Sequence, residues 1–220
     1  MALLEMVDVT FQAGDVIPIK DVSLQIEEGT ISAFVGNPGS GKSTALKLLA
    51  GLFPPSYGKI KFKGKDLFSM THKETLGFRK RAAFMFQDSA LWSNQDIYHN
   101  LELPLQIHFP QMTKEEMVQK IQDITKLVDY EKPLSNRPAA LSLGEQKKIS
   151  FARALLCEPD ILFLDEPTES LDEATVTRFV SILEKFCKHK GTLIFVSHDA
   201  DFLKTFQGTK YIFKNGELLK

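Results

Sequence analysis

Only two cysteines occur in the sequence, Cys157 and Cys187, thirty residues apart in segments whose patterning reads as helical. Such sparse use excludes a disulfide framework or a cysteine-built metal cluster and fits a reducing compartment. No stretch approaches the roughly 18 uncharged apolar residues that a membrane-spanning helix requires, so the chain is not expected to cross a bilayer by itself. A leader is not expected either: MALLEMVDVTF carries Glu5 and Asp8 inside its apolar run, has no basic region before it, and reads as a strand. An excess of one charge is also missing, since 27 Lys and Arg face 28 Asp and Glu. That balance gives no support to a nucleic-acid-coating role. Internal repeats and low-complexity tracts are lacking as well. What remains is a chain of 220 residues with 43% hydrophobic side chains, a composition that fits one folded domain with a substantial core.

The first sixty or so residues are rich in short strand patterns: LLEMVDVTF, VSLQI, ISAFVG and, after one helix, KIKFKGKDL. From Thr113 to Tyr130 the pattern turns helical, with Met117, Ile121, Ile124 and Leu127 or Val128 on one side and a Thr113-to-Glu116 capping-box spacing at its start. A link rich in Pro, Ser and Asn runs from Pro133 to Pro138, before a helix opening in LSLGEQKKISFARAL. The apolar run ILFLDE follows, then a helix from about Asp172 with Val176, Val180, Leu183 and Cys187 in register. TLIFVS reads as a buried strand, and the Asn-Gly pair in YIFKNGELLK marks a hairpin. Nearly all-apolar strands alternating with helices predict an α/β fold with a mainly parallel sheet covered on both faces. An amino-terminal antiparallel β subdomain is expected beside it, with a helical subdomain, approximately 88–156, inserted in the α/β core of a single domain over 1–220.

The stretch GNPGSGKST follows the apolar ISAFV and precedes the helical ALKLLAGL, which is the strand, loop, helix setting of a phosphate-binding loop. Its backbone from Gly36 through Asn37, Pro38, Gly39, Ser40 and Gly41 can wrap a phosphate, with the glycines freeing the turn of Cβ atoms. Lys42 would reach the β and γ oxygens, and Ser43 would ligate Mg²⁺ through its hydroxyl, with Thr44 beginning the helix. Asp165, at the end of ILFLDE, is where Mg²⁺ needs an outer carboxylate. Glu166, one residue on, would orient the attacking water or take its proton. These features predict a nucleoside-triphosphatase.

The motifs beyond the phosphate loop resemble the ATP-binding cassette ATPases of ABC transporters over essentially the whole length. Gln87 in FMFQDS stands at that family's glutamine loop and LSLGE where its signature usually reads LSGGQ. ESLD, Glu169 to Asp172, resembles the D-loop, and His198 in FVSHD the switch histidine. All of them occur in the family's order. The resemblance implies a head-to-tail homodimer, each ATP lying between the phosphate loop of one subunit and Ser142, Leu143, Gly144 and Glu145 of the other. It further implies that Gln87 touches Mg²⁺ or water, that His198 contacts the γ-phosphate and that Asp172 couples the two sites. Phe11 lies near the family's base-stacking aromatic, and an inward core position is the alternative for it. Adenine as the base rests on the resemblance. Leu143 replaces a glycine and Glu145 a glutamine, and Leu143 is expected to point outward.

A finer likeness runs through FMFQDSALWSNQDIYHNLELPLQIHF, which is similar to the ATPases of MCE-type bacterial lipid transporters at Phe86, Gln87, Ala90, Leu91, Asn100, Pro104, Leu105 and His108. It implies phospholipid or other lipid cargo and an MCE-domain substrate-binding protein among the partners. Small-solute import and lipoprotein release remain as alternatives within transport, and a soluble protein of iron-sulfur assembly or an ATP-binding regulator outside it. Separate transmembrane permease subunits would hold the chain at the cytoplasmic face of a bacterial inner membrane. Leu91, Trp92, Ile97, Tyr98 and Leu101 have the composition of a docking groove for them, with an internal sealing role the alternative, chiefly for Ile97 and Leu101. Lys147, Lys148 and Arg153 are expected at solvent or at the membrane partner.

Overall fold

The computed structural model describes residues 2–219. Its elements in chain order are β1 (Leu4–Ala13), β2 (Val16–Ile26), β3 (Ile31–Gly36), α1 (Lys42–Leu49), β4 (Tyr57–Phe62), β5 (Lys65–Asp66), α2 (His72–Arg81) and β6 (Ala82–Met85). Then follow α3 (Ile97–His108), α4 (Lys114–Leu127), α5 (Leu143–Leu155), β7 (Ile161–Asp165), α6 (Glu173–Lys188), β8 (Thr192–Val196), α7 (Ala200–Thr205), β9 (Thr209–Lys214) and β10 (Glu217–Leu219).

Two sheets result. One is antiparallel, in the order β2-β1-β4-β5, and the other runs β10-β9-β3-β8-β7-β6 with every neighbouring pair parallel except β9 and β10. All five residues of β7 and all five of β8 are buried, as strands covered on both faces must be. Alternation along them feeds two separate cores. Ile161, Phe163, Ile194 and Val196 pack with α1 and the antiparallel sheet, while Leu162, Leu164, Leu193 and Phe195 pack with the helices on the other side. The α/β class with its antiparallel sheet and mainly parallel sheet is therefore the observed architecture.

Helices α3, α4 and α5 all fall between β6 and β7, and Leu101, Leu105, Ile121 and Ile149 bring them into one core. The capping boxes at Thr113 with Glu116 and Ser142 with Glu145 are both formed. Val128, not Leu127, closes the buried side of α4. The inward line of α6 is Thr175, Phe179 and Leu183, one step away from the expected Val176 and Val180, because Phe179 stacks on Phe151 of α5. Cys157 sits in the turn after α5 instead of within a helix, and burial lifts the thiols of Cys157 and Cys187 to about 11. Neither is poised as a nucleophile.

The carboxy-terminal hairpin turns at Asn215 and Gly216, with φ 51° and 82°, as an Asn-Gly type I′ turn requires. Its strand β9 lies directly against β3, pairing Phe213 with Gly36. This places the hairpin behind the loop that follows β3, where Gly216 donates its N–H to the Ser40 carbonyl (3.1 Å).

Candidate active site

The loop between β3 and α1 is shaped by backbone that tolerates no side chain at two points. A Cβ on Gly36 would lie 2.2 Å from the Phe213 carbonyl oxygen, and one on Gly41 2.4 Å from that of Pro18. Gly41, at φ 99°, is also the N-cap of α1 and supplies no side-chain cap, so no side chain of the cap residue engages the first amides of that helix. Lys42 is buried and donates to the carbonyls of Gly36 (2.9 Å) and Asn37 (2.7 Å). Burial pushes its ammonium below the usual lysine range, while Glu166 and Asp165 pull it back up.

Ser43 donates its hydroxyl to Asp165 Oδ1 at 2.7 Å, across 122 residues of sequence. Asp165 Oδ2 is buried without a hydrogen-bond donor; Lys47 Nζ stands 3.9 Å away, beyond hydrogen-bonding reach. Burial raises the Asp165 carboxyl, against the Ser43 hydrogen bond and Lys47. A hydroxyl beside a carboxylate with a spare buried oxygen is a hard-oxygen donor set, which fits Mg²⁺ completed by phosphate oxygens and water. No cluster of three or more His, Cys, Asp or Glu side chains that would cage a metal unaided occurs among the described residues.

Glu166 has a left-handed backbone, φ 48°, uncommon for a residue with a Cβ. Its carboxylate accepts the His198 N–H (3.1 Å) and lies 3.5 Å from His198 Nε2. Burial raises the Glu166 carboxyl, opposed by the His198 amide and ring. Gln87, on the loop after β6, donates to Glu169 (3.0 Å). A cavity of about 580 Å³ brings Pro38, Gly39, Lys42, Ser43, Gln87, Glu166 and His198 to one space. Thus the phosphate-loop, strand-end, glutamine and histidine residues expected from the sequence converge. A larger cavity, about 960 Å³, lies along α4 and the end of α5 around Phe109 and Met112; Glu116, Asp123 and Glu158 line it with Lys120, and no residue of the phosphate-type loop does.

The remaining expected residues are not in that space. Ser142 accepts the Glu145 amide and Glu145 reaches back to the Ser142 N–H (2.8 Å), so this helix start satisfies itself. Leu143 is 68% exposed, and Gly144 lies near the Ser170 carbonyl. Asp172 caps α6 through the Thr175 amide (2.7 Å). Phe11 is partly buried and stacked on Phe53, 5.8 Å between centroids and 14° between planes.

Several positions depart from expectation. Lys147 is only 3% exposed and donates to the Glu166 carbonyl at 2.8 Å. Burial lowers its ammonium, against the nearby carboxylates of Glu169, Glu166, Asp165 and Asp88. Arg153 donates to the carbonyls of Ser89 and Ala90 (3.0 Å each) and lies over the Trp92 ring, and burial brings its guanidinium down to about 10. Lys148 bonds the Asp129 carbonyl at 2.9 Å. None of the three is a free surface cation. The signal was in the spacing: Lys147, Phe151 and Ala154 stand at i, i+4 and i+7, which puts the lysine on the buried face of α5. In the expected docking segment Ile97 and Leu101 are fully buried, and Leu91 and Tyr98 are partly buried against the same core. Trp92 remains outward at 42% exposure, joined by Leu103 and Ile107 of α3.

A family model described as ABC transporter matches residues 19–169. Among curated proteins the chain is similar to the ABC transporter ATP-binding protein YtrE of Bacillus subtilis, 37% identical over 183 residues that make up 82% of this chain and 78% of that protein. It is also similar to the methionine import ATP-binding protein MetN of Clostridium acetobutylicum, 34% identical over 84% of this chain and 58% of MetN. The chain therefore spans less than two thirds of that MetN. Among solved structures, the dimeric post-hydrolysis state of the ATP-binding cassette MJ0796 bound to ADP and Pi superposes with a TM-score of 0.89 at 29% identity, covering 99% of this chain and 97% of that one.

Proposed function

Because the chain belongs to the ABC transporter family of ATP-binding cassettes, we propose that it is the ATP-hydrolysing subunit that powers a membrane transporter and works as a nucleotide-sandwiching pair. The observation that carries this reading is the convergence of Lys42, Ser43, Glu166 and His198 on one cavity, with the buried Asp165 hydrogen-bonded to Ser43. In the proposed reaction Lys42 leaves its loop carbonyls for the β- and γ-phosphate oxygens, and the uncapped amides of α1 hold the β-phosphate. Glu166 orients a water for in-line attack on the γ-phosphorus and accepts its proton, while the bond to the β–γ bridging oxygen breaks and ADP and phosphate result. His198 holds the γ-phosphate. Ser43, Asp165 and Gln87 would hold Mg²⁺, which, when bound, neutralises charge on the transferred group.

The second half of each site is proposed to come from Ser142 to Glu145 of another copy, whose helix start offers positive dipole and N–H groups. That the similar cassette was solved as a dimer bound to ADP and Pi supports the pairing of two copies. Separate permease subunits are proposed to seat on the outward apolar face of Trp92, Leu103 and Ile107, so that residues 88–156 act as a unit between permease and nucleotide. No helix among the described residues is long and apolar enough to cross a membrane, in keeping with a peripheral place at the cytoplasmic face.

For cargo, the methionine import names of the MetN relatives favour a small solute over the lipid expected from the segment after Gln87. The positions behind that lipid expectation have internal work: Asn100 clasps the backbone of Trp92 and Asp96, and Leu105 fills the core. Such positions would recur for packing reasons whatever the cargo, and they give an MCE-domain partner no separate support.

The test is phosphate release from MgATP by the purified chain, followed by mass spectrometry of what copurifies with it from solubilised membranes. Phosphate release together with a permease and a solute-binding subunit is expected. A chain that binds ATP without turnover, or that copurifies only with soluble assembly proteins, would overturn the reading.

A further inference from the structure

The carbonyl of Glu166 is held by a buried ammonium, an arrangement that packing alone does not explain. Glu166 sits at φ 48°, a strained region for a residue with a Cβ, and such a conformation persists only where its surroundings fix it. Three contacts do so. Its N–H donates to the Val196 carbonyl (3.0 Å), its carboxylate accepts the His198 N–H (3.1 Å), and its carbonyl accepts Lys147 Nζ (2.8 Å). The first two come from the β8 side of the fold and the third from α5.

Lys147 is 3% exposed and Glu169, the carboxylate paired with it, stands at 4.0 Å, so among the described residues its short polar contact is the Glu166 carbonyl. Burying an ammonium on a carbonyl is costly, and an apolar side chain of the same shape would suit a core better. The charge therefore calls for a role outside stability. Its position supplies one, because Lys147 lies five residues along the helix that starts at Ser142, roughly 7–8 Å along the axis. A rigid helix carries any displacement of its start to its lysine.

Building on the ATPase reading above, we infer that Lys147 is a positioning residue for hydrolysis: by gripping the Glu166 carbonyl it fixes the turn that aims the Glu166 carboxylate at the phosphate loop, and it makes that aim depend on where α5 sits. Hydrolysis at a chain's own phosphate loop is thereby tied to the seating of the helix that would serve the other chain's ATP.

The test is a double-mutant cycle on the full chain, with Lys147→Met removing donor and charge while keeping the length of the stem. Lys147→Met is expected to lower kcat by roughly 10- to 100-fold, the scale of a small misplacement of a reacting group, with KM and ATP affinity within about two-fold of the parent. Adding it to Glu166→Gln is expected to produce no further fall, because the group it positions is already gone. Lys147→Gln, which keeps an N–H donor on a shorter stem, is expected to recover part of the lost kcat, and it replaces Met in the cycle if the Met variant fails to fold as read by circular dichroism and thermal unfolding. An unchanged kcat, a loss that is additive with Glu166→Gln, or a fall in affinity matching the fall in kcat would overturn the inference. Failure of the ATPase reading looks different: the parent chain then releases no phosphate, or Glu166→Gln has no effect on its own.

Discussion

Two helix starts in this molecule, Gly41 before α1 and Ser142 before α5, expose the same kind of backbone donor and treat it in opposite ways. At Gly41 no side chain caps the helix, Lys42 folds onto the loop's own carbonyls, and the surrounding backbone is too close to admit a Cβ. At Ser142 the hydroxyl and Glu145 close a capping box, Lys132 pairs with Glu145 (2.9 Å), and the adjoining Leu143 is exposed. The first start is held ready for an anion within one chain. The second is stable without one, so whatever it grips has to arrive from outside and compete with a cap of about 1 kcal/mol. A site divided in this way gives its two halves different sensitivities to mutation.

Lys42→Ala strikes the enclosed half and carries the largest expected effect. Charge-assisted hydrogen bonds are each worth about 1.5–3 kcal/mol, so losing two should weaken ATP by on the order of 100-fold or more. Direct titration with ATP reads this out, and an unchanged affinity would remove the phosphate loop from the proposal. Glu166→Gln should separate chemistry from binding within the same half: turnover falls on the order of 10²- to 10⁴-fold, as for loss of a general base. ATP affinity should persist, and ATP should now trap a dimer visible by size-exclusion chromatography. Retention of parental steady-state hydrolysis would show that Glu166 is not the base.

Ser142→Arg tests the open half. Affinity of the isolated chain for ATP should stay within about two-fold, while the trapped dimer of the Glu166→Gln background is lost; a dimer that still forms would mean that this surface stays outside the interface. The mildest change, Ser142→Ala, removes only the cap. It should lower the unfolding free energy by about 1 kcal/mol in a denaturant titration, and a neutral result would mean that Glu145 holds the helix start alone.

The enclosed half was the more legible in sequence, because its meaning lies in contiguous residues. Gly36 to Thr44 carry loop, charge and helix start within nine positions, and ILFLDE announces its own strand end. The same locality makes the capping boxes at Thr113 and Ser142 and the Asn215–Gly216 turn readable, whereas a third box, Thr71 with Glu74 before α2, has no apolar stripe after it to mark it. Contacts between distant segments were not legible. Lys147 meets Glu166 nineteen residues away and Arg153 meets Ser89 sixty-four away, and a cation on a helix is read as solvent-facing unless its place on the apolar line is weighed first. Helix α2 escaped detection because Phe78 is its only buried residue, which leaves no periodic stripe. Strand β6 is four residues long and inherits its place from pairing with β7. The docking segment divides in the way its alternative reading allowed: Ile97 and Leu101 stand four apart on one face and that face turns inward, while Trp92 stays outward.

The hairpin of β9 and β10 gives the fold a timing. Gly216 donates to the Ser40 carbonyl, Phe213 pairs with Gly36, and the Lys20 N–H donates to the Gly216 carbonyl (2.8 Å). The back wall of the phosphate loop is thus made by residues synthesised some 170 positions after the loop itself. A nascent chain that has already displayed Gly36 to Thr44 still lacks the strand that lies against them. Grip on nucleotide is then expected only from a chain that carries the hairpin as well as the motif, and a fragment cut before Thr209 has the whole motif without the strand that lies against it.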